Sequence, residues 1–392
     1  MSHKPLSDVF VIDASQGIAG PAAGAMLADF GAKVISLEPP KGKTARGYAG
    51  GAALANISRN KQSIAVDLKT EEGQAVLEEL VADADVFLHN NRPGVSESLG
   101  CGYDKLSEIN PELVYCSITG YGETGPYKDR PTVDPLAQAM SGIMEMTGEP
   151  DRKPSRVGVS VSDMGTAVYA AFGVLTGLRT AEQTGEGQKI ETSLFDTAAA
   201  FMGVWYSHYS KFGEVPHRQG HSWEPYAPAG IFETSTGQIY LATPFQYLWE
   251  RVCEAVERED WLSDPRFKSE DARRENREEL IAVMDEEFSK YNREELLDRL
   301  LEAGVPASEV HTVPEATEDE HLHQRGTIQQ TEDHEGDDVL ALSTPVMMSG
   351  EPPQINQRPP RLGEHSKEIL QEVGFDPEVI DNLIDEDVVI VE

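Results

Sequence analysis

Apolar residues in the first 120 positions form short runs that alternate with amphipathic stretches. Each run is bounded by Gly, Pro, Asn or charged residues, as strands commonly are. The five runs occupy residues 8–13, 32–38, 62–68, 84–89 and 112–118. After the third run, apolar residues in 71–83 recur at helical spacing. This alternation of strand and helix predicts crossover units and a parallel α/β sheet.

The pattern changes in the second half of the chain. Residues 135–147 and 164–180 have helical spacing, and the second stretch is small and apolar enough to lie buried. From about residue 225 the sequence indicates two strands joined by a turn at Thr236–Gly237. Charged amphipathic helices are predicted at 271–288 and 293–303. This change of texture indicates a second, smaller domain.

Composition limits the class of protein. The chain has 392 residues, of which 39% are hydrophobic, so it can bury a large core. It has no apolar run of about 18 residues and no basic region followed by an apolar stretch at its start, so we expect neither a membrane span nor a secretory signal. Its three widely spaced cysteines argue against a disulfide framework and for a reducing cytoplasm. They are Cys101, Cys116 and Cys253.

Acidic residues dominate the charge balance. Lys and Arg number 33 against 68 Asp and Glu, which gives a net charge of −35. Such a surface repels phosphate backbones, so nucleic-acid binding is not expected. The acids are spread along the chain rather than gathered in a tail. Because salt relieves this self-repulsion, we predict a halophilic enzyme that gains stability in molar KCl.

The stretch from Val11 to Glu38 invites comparison with dinucleotide-binding folds. Its glycines are Gly17, Gly20 and Gly24, so the Gly-x-Gly-x-x-Gly phosphate turn is missing. An ordinary strand–turn–helix, with small residues for close packing, is the favoured interpretation. Two other patterns also lack the spacing their chemistry needs: His321 and His323 have no third metal ligand nearby, and 184–189 is not a phosphate loop. No metal site is predicted.

Three stretches in fixed order carry a specific resemblance. They are "ISRNKQSIAVDLKTEEG" (57–73), "HNNRPGVSESLG…GYGETGPY" (89–127) and "VGVSVSDMGTAV…KIETSLFD" (157–196). Together they resemble the class III CoA-transferase family, which includes formyl-CoA transferase and carnitine CoA-transferase. Further matching segments extend the resemblance over essentially the whole chain.

The resemblance implies an architecture. It consists of a large Rossmann-like domain at 1–220, a small α+β domain at 225–320, and a return to the large domain at 325–392. Two ring-like subunits would interlock as a homodimer. The substrates would be coenzyme A thioesters and small carboxylic acids, with no tightly bound cofactor.

The family mechanism points to Asp163, in "SVSDMGTA". Its carboxylate would attack a donor acyl-CoA and form an acyl-aspartyl anhydride and then an aspartyl-CoA thioester. An ordinary aspartate is ionised at neutral pH and needs no general base. The alternative interpretation is that Asp163 only caps the helix starting at Met164. Gln16 matches a position near the reacting acyl group, where an amide can donate to an oxyanion.

The matching positions also suggest how CoA is held. Arg59, Asn60 and Lys61 form a basic cluster in an acidic chain, and Arg offers forked donors to phosphate. Asn90, Asn91 and Arg92 lie in a turn after the fourth strand, at the sheet edge where ligands bind. Ile18 would place backbone beside the acyl group. Tyr121 and Tyr127 would line the pantetheine or acyl tunnel, or simply pack.

The chain departs from formyl-CoA transferase at 215–230, where the run of glycines that covers that active site is missing. His217, Arg218 and His221 stand there instead. One of them would meet the distal carboxylate of a C4 or C5 dicarboxylic acid such as mesaconate, itaconate or malate, with succinyl-CoA as donor. The alternative is that these three residues form a salt-bridged loop.

Other functions remain as alternatives. The first is the racemase branch of the superfamily, which acts on 2-methylacyl-CoA with an aspartate and a histidine as two bases. Val133 stands where that histidine would be, so the transferase is favoured. A nicotinamide oxidoreductase and a non-catalytic binding module are less consistent with the matching motifs.

Overall fold

The structure is a computed structural model that describes residues 4–392, and the chain divides into two compact units. The first unit contains the N-terminal part up to Ile143, Val157–Lys211 and Asp319–Glu392. The second contains Met144–Arg156 and Phe212–Glu318. Residues 144–156 and 212–220, expected from the sequence in the large domain, thus belong to the second unit.

Twelve strands occur in the described residues. They are β1 (Phe10–Asp13), β2 (Lys33–Glu38), β3 (Gln62–Val66), β4 (Val86–His89), β5 (Val114–Thr119), β6 (Lys189–Ser193), β7 (Ala229–Thr234), β8 (Gly237–Ala242), β9 (Ala307–Glu309), β10 (Ile328–Glu332), β11 (Asp338–Leu342) and β12 (Val389–Ile390). All except β7, β8 and β9 belong to the first unit.

Nineteen α-helices and one 3-10 segment, Thr44–Gly51, connect these strands. The helices are α1 (Ala19–Asp29), α2 (Leu54–Ile57), α3 (Glu71–Ala82), α4 (Val95–Ser98), α5 (Tyr103–Ile109), α6 (Asp134–Ser141), α7 (Ile143–Met146), α8 (Val161–Thr184), α9 (Leu194–Phe201), α10 (Gly203–Phe212), α11 (Gln246–Ala255), α12 (Asp260–Ser263), α13 (Glu270–Glu275), α14 (Arg277–Phe288), α15 (Arg293–Glu302), α16 (Val313–Thr317), α17 (Glu320–Gln324), α18 (Ser366–Glu372) and α19 (Pro377–Asp385).

The first unit is built on a seven-stranded sheet in the order β12-β3-β2-β1-β4-β5-β6. Neighbouring strands in the series β3, β2, β1, β4, β5 and β6 pair in parallel, and β12 pairs antiparallel with β3 at the edge. The predicted parallel α/β sheet is therefore confirmed, and its strand order is that of the Rossmann fold. The order reverses between β1 and β4, so the loops that follow these two strands diverge and leave a crevice.

From β1 to β5 both faces of this sheet are buried, which explains why these strands are largely apolar, whereas the edge strand β6 is partly exposed. In β5 all six residues are buried. One face packs against α1 and α8, and the other against α3, α5, α18 and α19. Helices α18 and α19 thus belong to the first unit, although they follow the second unit along the chain.

Helix α8 is only half buried, contrary to the sequence-based expectation. Ala167, Ala170 and Val174 are wholly buried in the core, whereas Val168 and Phe172 on the outer face are 56% and 67% exposed. By length and composition this helix could cross a bilayer. Its buried face against the sheet is that of a core helix in a globular protein.

The second unit has an antiparallel sheet in the order β7-β8-β9, packed on a core that includes Trp249 and Phe288. The predicted strand–turn–strand is confirmed, with the turn closed one residue earlier, between Thr234 and Gly237. The helix predicted at 271–288 is divided into α13 and α14, because the backbone leaves the helical conformation at Asn276.

Candidate active site

The crevice between β1 and β4 is closed at its base by two reciprocal hydrogen bonds. The Gln16 backbone N–H donates to Asn90 Oδ1 at 2.7 Å, and Asn90 Nδ2 donates to the Gln16 carbonyl oxygen at 2.5 Å. Since each residue follows the carboxyl end of its strand, these bonds join the two loops at the reversal of strand order. Ligands of doubly wound folds bind at this place.

The glycine turn after β1 serves close packing. A Cβ on Gly20 would collide with Ser15, and one on Gly24 would lie 2.9 Å from Lys61 Nζ. Gly17 has a φ of +69°, a conformation that glycine adopts without strain. These contacts support the interpretation of small residues for close packing.

A cavity of about 350 Å³ opens at the crevice. Four of the candidate site residues line it: Gln16, Ile18, Asn90 and Asp163. The remaining lining residues are Gly17, Ala19, Thr44, Ala45, Tyr48, Ile57, Ile118, Thr119, Gly120, Thr132, Val133, Asp134 and Leu194. Residues that are far apart in the sequence therefore meet around one small space.

Asp163 lies in the first turn of α8, and its carboxylate accepts no hydrogen bond from the described residues. Burial, and secondarily the negative charge of Asp134, raise its pKa to about 6. The helix begins at Val161, before Asp163, and its first amides donate to Asp134 instead. Asp163 is thus not the cap of this helix.

The basic cluster at 59–61 has an internal role. The Arg59 guanidinium donates to both oxygens of Asp29, at 3.1 and 2.6 Å, and the residue is 4% exposed. Lys61 Nζ lies 2.7 Å from Asp13 Oδ2, and both side chains are wholly buried. Asn60 joins Asp29 to the backbone near Gln354. Both cations of the cluster are thus already paired and shielded from solvent.

The turn after β4 presents a different cation. Arg92 is exposed, and its side chain forms no ion pair or hydrogen bond with residues 4–392. Asn91 donates to Ser96 Oγ at 3.2 Å and lines a smaller hollow of about 100 Å³ together with Gln16 and Lys69. Arg92 is therefore available to an anionic ligand, which Arg59 and Lys61 are not.

The two candidate tunnel residues pack on each other. The rings of Tyr121 and Tyr127 meet edge to face at 5.8 Å, and the Tyr121 hydroxyl donates to Met140 Sδ at 3.2 Å. The Arg130 guanidinium lies 3.9 Å from the centre of the Tyr127 ring. Neither tyrosine lines the cavity.

The three candidate substrate residues belong to the second unit and have partners there. Arg218 donates to Glu145 Oε1 at 2.6 Å and to three backbone carbonyls of residues 145–150. His217 Nε2 lies 2.9 Å from Glu224 Oε1, and His221 Nδ1 accepts the backbone N–H of Ile231. This arrangement agrees with the alternative of a salt-bridged loop, in which the Arg218 guanidinium is already occupied by Glu145.

Besides Thr119 at the end of β5, four polar residues of the cavity were missed in the sequence: Asp134, Thr44, Tyr48 and Thr132. Nothing in their local sequence marks them, because each is a common loop or helix-start residue. Val133 lines the cavity where the racemase would need a histidine, and no histidine of the described chain does so. Among residues 4–392, no group of three or more His, Cys, Asp or Glu side chains is placed to hold a metal ion.

Comparison with known proteins places the chain in a class. The model of CoA-transferase family III matches residues 6–366. Succinyl-CoA:mesaconate CoA-transferase of Haloarcula marismortui is 36% identical over 95% of this chain and 97% of its own length. Succinyl-CoA–D-citramalate CoA-transferase of Chloroflexus aurantiacus is 33% identical over 94% of both chains.

A solved structure gives the same result for the fold. The CaiB/BaiF family protein from Brucella suis superposes with a TM-score of 0.88 at 34% identity, covering 94% of this chain and 99% of its own. The chain therefore belongs to CoA-transferase family III, and it is an acyl-CoA:carboxylate CoA-transferase.

Proposed function

We propose that this enzyme transfers CoA from succinyl-CoA to a C4 or C5 dicarboxylic acid such as mesaconate, itaconate or malate, with Asp163 as the nucleophile. The names of the Haloarcula and Chloroflexus relatives support the donor and the class of acceptor. The observation that carries the proposal is the carboxylate of Asp163, which lines a small cavity and accepts no hydrogen bond from residues 4–392. A carboxylate in that condition is poised for reaction rather than for structure.

The proposed reaction proceeds in four balanced steps. An oxygen of Asp163 bonds to the thioester carbonyl carbon, the C–S bond breaks, and CoA leaves as a thiolate. The thiolate then attacks the aspartyl carbonyl of the anhydride and releases succinate, which leaves an aspartyl-CoA thioester. The acceptor carboxylate displaces CoA again and forms a second anhydride. Attack of the thiolate on the acceptor's acyl carbon gives the new acyl-CoA and restores Asp163.

We assign the binding groups chiefly among the side chains that have no hydrogen bond or ion pair within the described residues. The carboxamide of Gln16 makes no hydrogen bond with residues 4–392, so we assign it as a donor to the oxyanion that develops during acyl transfer. Ile18 and Asn90 form the adjacent wall. We place the CoA phosphates near Arg92 and Asn91 at the carboxyl edge of the sheet, and not at Arg59 or Lys61.

The acceptor would be recognised by neutral groups. No Lys, Arg or His of the described residues lines the cavity, whereas the hydroxyls of Thr44, Tyr48 and Thr132 do. We therefore assign these hydroxyls to the distal carboxylate of the dicarboxylic acid. Hydroxyl donors can satisfy a carboxylate without leaving a buried cation unpaired when the site is empty.

We further propose that the chain acts as a homodimer in the cytoplasm. Exposed apolar side chains on the outer surface of the first unit support a dimer, among them Phe172 at 67% and Val204 at 78%. Patches of this kind on a globular protein commonly mark protein interfaces. The three cysteines are free and buried, which supports a reducing compartment.

An exchange assay tests the function. Succinyl-CoA is incubated in molar KCl with a panel of mono- and dicarboxylic acids, and the CoA esters are separated and identified by mass. We expect a new acyl-CoA from a C4 or C5 diacid, with release of succinate, and loss of exchange in Asp163→Ala. Exchange that persists in Asp163→Ala would refute the nucleophile. Deuterium uptake by a 2-methylacyl-CoA from heavy water, without any exchange, would instead favour the racemase.

A further inference from the structure

A second carboxylate lies on the wall of the same cavity. Asp134, at the start of α6, is 4% exposed and lines the cavity together with Asp163. Its Oδ2 accepts the backbone N–H of Ser162 at 2.7 Å and that of Asp163 at 3.3 Å. A side chain from one helix thus binds the free amides at the beginning of another, and the nucleophile lies directly at that junction.

The other oxygen of Asp134 is held from its own helix. Gln138 Nε2 donates to Asp134 Oδ1 at 2.5 Å, and Gln138 Oε1 accepts the backbone N–H of Val157 at 2.9 Å. Gln138 is completely buried. Asp134 therefore has a fixed orientation, and both of its oxygens accept N–H donors, so it does not compete with Asp163 as a nucleophile.

We propose that Asp134 is a positioning residue for the reaction, which fixes the first turn of α8 and holds a negative charge beside Asp163 that favours its neutral, acylated forms. The proposal rests on the assigned role of Asp163 as nucleophile. It gives the buried Asp134–Gln138 pair a function beyond the stability of two helices.

The physical reason is a change of charge during the reaction. A free Asp163 carboxylate is negative, whereas its anhydride and its CoA thioester are neutral. A neighbouring negative charge raises the free energy of the carboxylate but hardly affects the acylated forms, so it favours acylation. Burial, with the same repulsion as the smaller contribution, raises the pKa of Asp163 to about 6. A more basic carboxylate is also the stronger nucleophile, and it is still mostly ionised at pH 7.

The other elements around the cavity contribute no opposing charge. Besides Asp134 and Asp163, the only titratable side chain among the described lining residues is Tyr48. Helices α1 and α9 present Ala19 and Leu194, and β5 presents Ile118 and Thr119. Asp134 is accordingly the charged group of the cavity wall that acts on the nucleophile.

A paired substitution separates the charge from the hydrogen bonds. In Asp134→Asn with Gln138→Glu, the Asn oxygen still accepts from Ser162 and the Asn amide donates to the new Glu. The Glu carboxylate in turn accepts from Val157. The hydrogen-bond network is retained with one direction reversed, while the charge moves one side chain further from Asp163. Asp134→Asn alone is the comparison that also disturbs the network.

Two readouts decide the outcome. In the wild type, kcat/KM of exchange should fall as the pH decreases below about 6, because Asp163 becomes protonated. In the paired variant we expect the acid limb to move down by about one pH unit, with about tenfold less aspartyl-CoA adduct by mass after mixing with succinyl-CoA, since one pKa unit is a tenfold change in equilibrium. The melting temperature should remain that of the wild type.

The contrary results are distinct. If the paired variant keeps the wild-type acid limb and adduct level, Asp134 serves structure alone and the proposal is wrong. If the wild type itself forms neither exchange product nor adduct, the nucleophile assignment and this proposal fall together.

Discussion

Two groups of buried carboxylates in the first unit differ in how they are satisfied. Under the glycine turn, Asp13 is paired with Lys61 and Asp29 with Arg59. In the cavity, Asp163 accepts no hydrogen bond from the described residues, and its nearest charge is another carboxylate. Burial of a charge is costly unless it is paired. The charges of the first group are therefore compensated by their partners, whereas the unpaired carboxylate of Asp163 costs stability.

The largest expected effect concerns the paired group. Lys61→Met leaves Asp13 buried without its partner and should lower the free energy of unfolding by about 3–5 kcal/mol. Chemical denaturation measures this loss. As a control, Asp13→Asn combined with Lys61→Met removes both charges. The double variant should recover part of the stability that the single variant loses. A stable single variant would show that the pair is not a structural element.

Asp163→Asn should change the free energy of unfolding in the opposite direction and stabilise the protein at neutral pH. The pKa of Asp163 is raised in the folded protein, so its destabilising effect is absent below the unfolded value near 3.8, grows as the pH rises to about 6, and is complete above that. At pH 7 the substitution should therefore raise the free energy of unfolding, by roughly 1–3 kcal/mol. At pH 4 the gain should be mostly lost. Lower stability of Asp163→Asn at pH 7 would contradict the distinction between the two groups.

The distinction between paired and unpaired groups should also hold for cations: a paired one contributes to stability and an unpaired one to ligand binding. Arg92 is exposed and unpaired in the described chain, so Arg92→Ala should raise the KM of the CoA thioester about tenfold, the value of one charge-assisted hydrogen bond, and leave the melting temperature unchanged. The matched control is Arg59→Ala, which loses the contact with Asp29 and should lower the melting temperature with little effect on KM. Steady-state kinetics and thermal denaturation of both variants test this. The reverse pattern would return CoA phosphate binding to Arg59.

Much of the fold could be predicted from the sequence. Strands buried on both faces leave short apolar runs, and their alternation with amphipathic stretches indicates a parallel sheet. The half-buried state of α8 could not be predicted, because apolar residues cover both its core face and its exposed face. The segments 144–156 and 212–220 join the second unit through contacts such as that of Glu145 with Arg218, which are 73 positions apart and leave no local sign in the sequence.

The site was predictable only in part. Asp163 was found through its flanking residues, and Gln16 and Asn90 through matching turns. The pairing of the basic cluster was not visible, since Arg59 and Asp29 are separated by 30 residues and Lys61 and Asp13 by 48. The contact of Asp134 with α8 likewise spans 28 residues. Local sequence shows which groups are charged, but only the folded chain shows which of them are already paired.

The smallest expected effect concerns the surface rather than either buried group. The net charge is −35, so exposed carboxylates repel one another at low salt. Salt weakens this repulsion, because the Debye length decreases from about 10 Å at 0.1 M to about 3 Å at 1 M. We therefore expect the melting temperature to rise by a few degrees from dilute buffer to molar KCl. The buried pair of Lys61 and Asp13 is shielded from solvent, so the decrease in melting temperature caused by Lys61→Met should be nearly the same at both salt concentrations. A decrease that changes strongly with salt would mean that this pair is accessible to ions, and the contrast between paired interior and acidic surface would have to be abandoned.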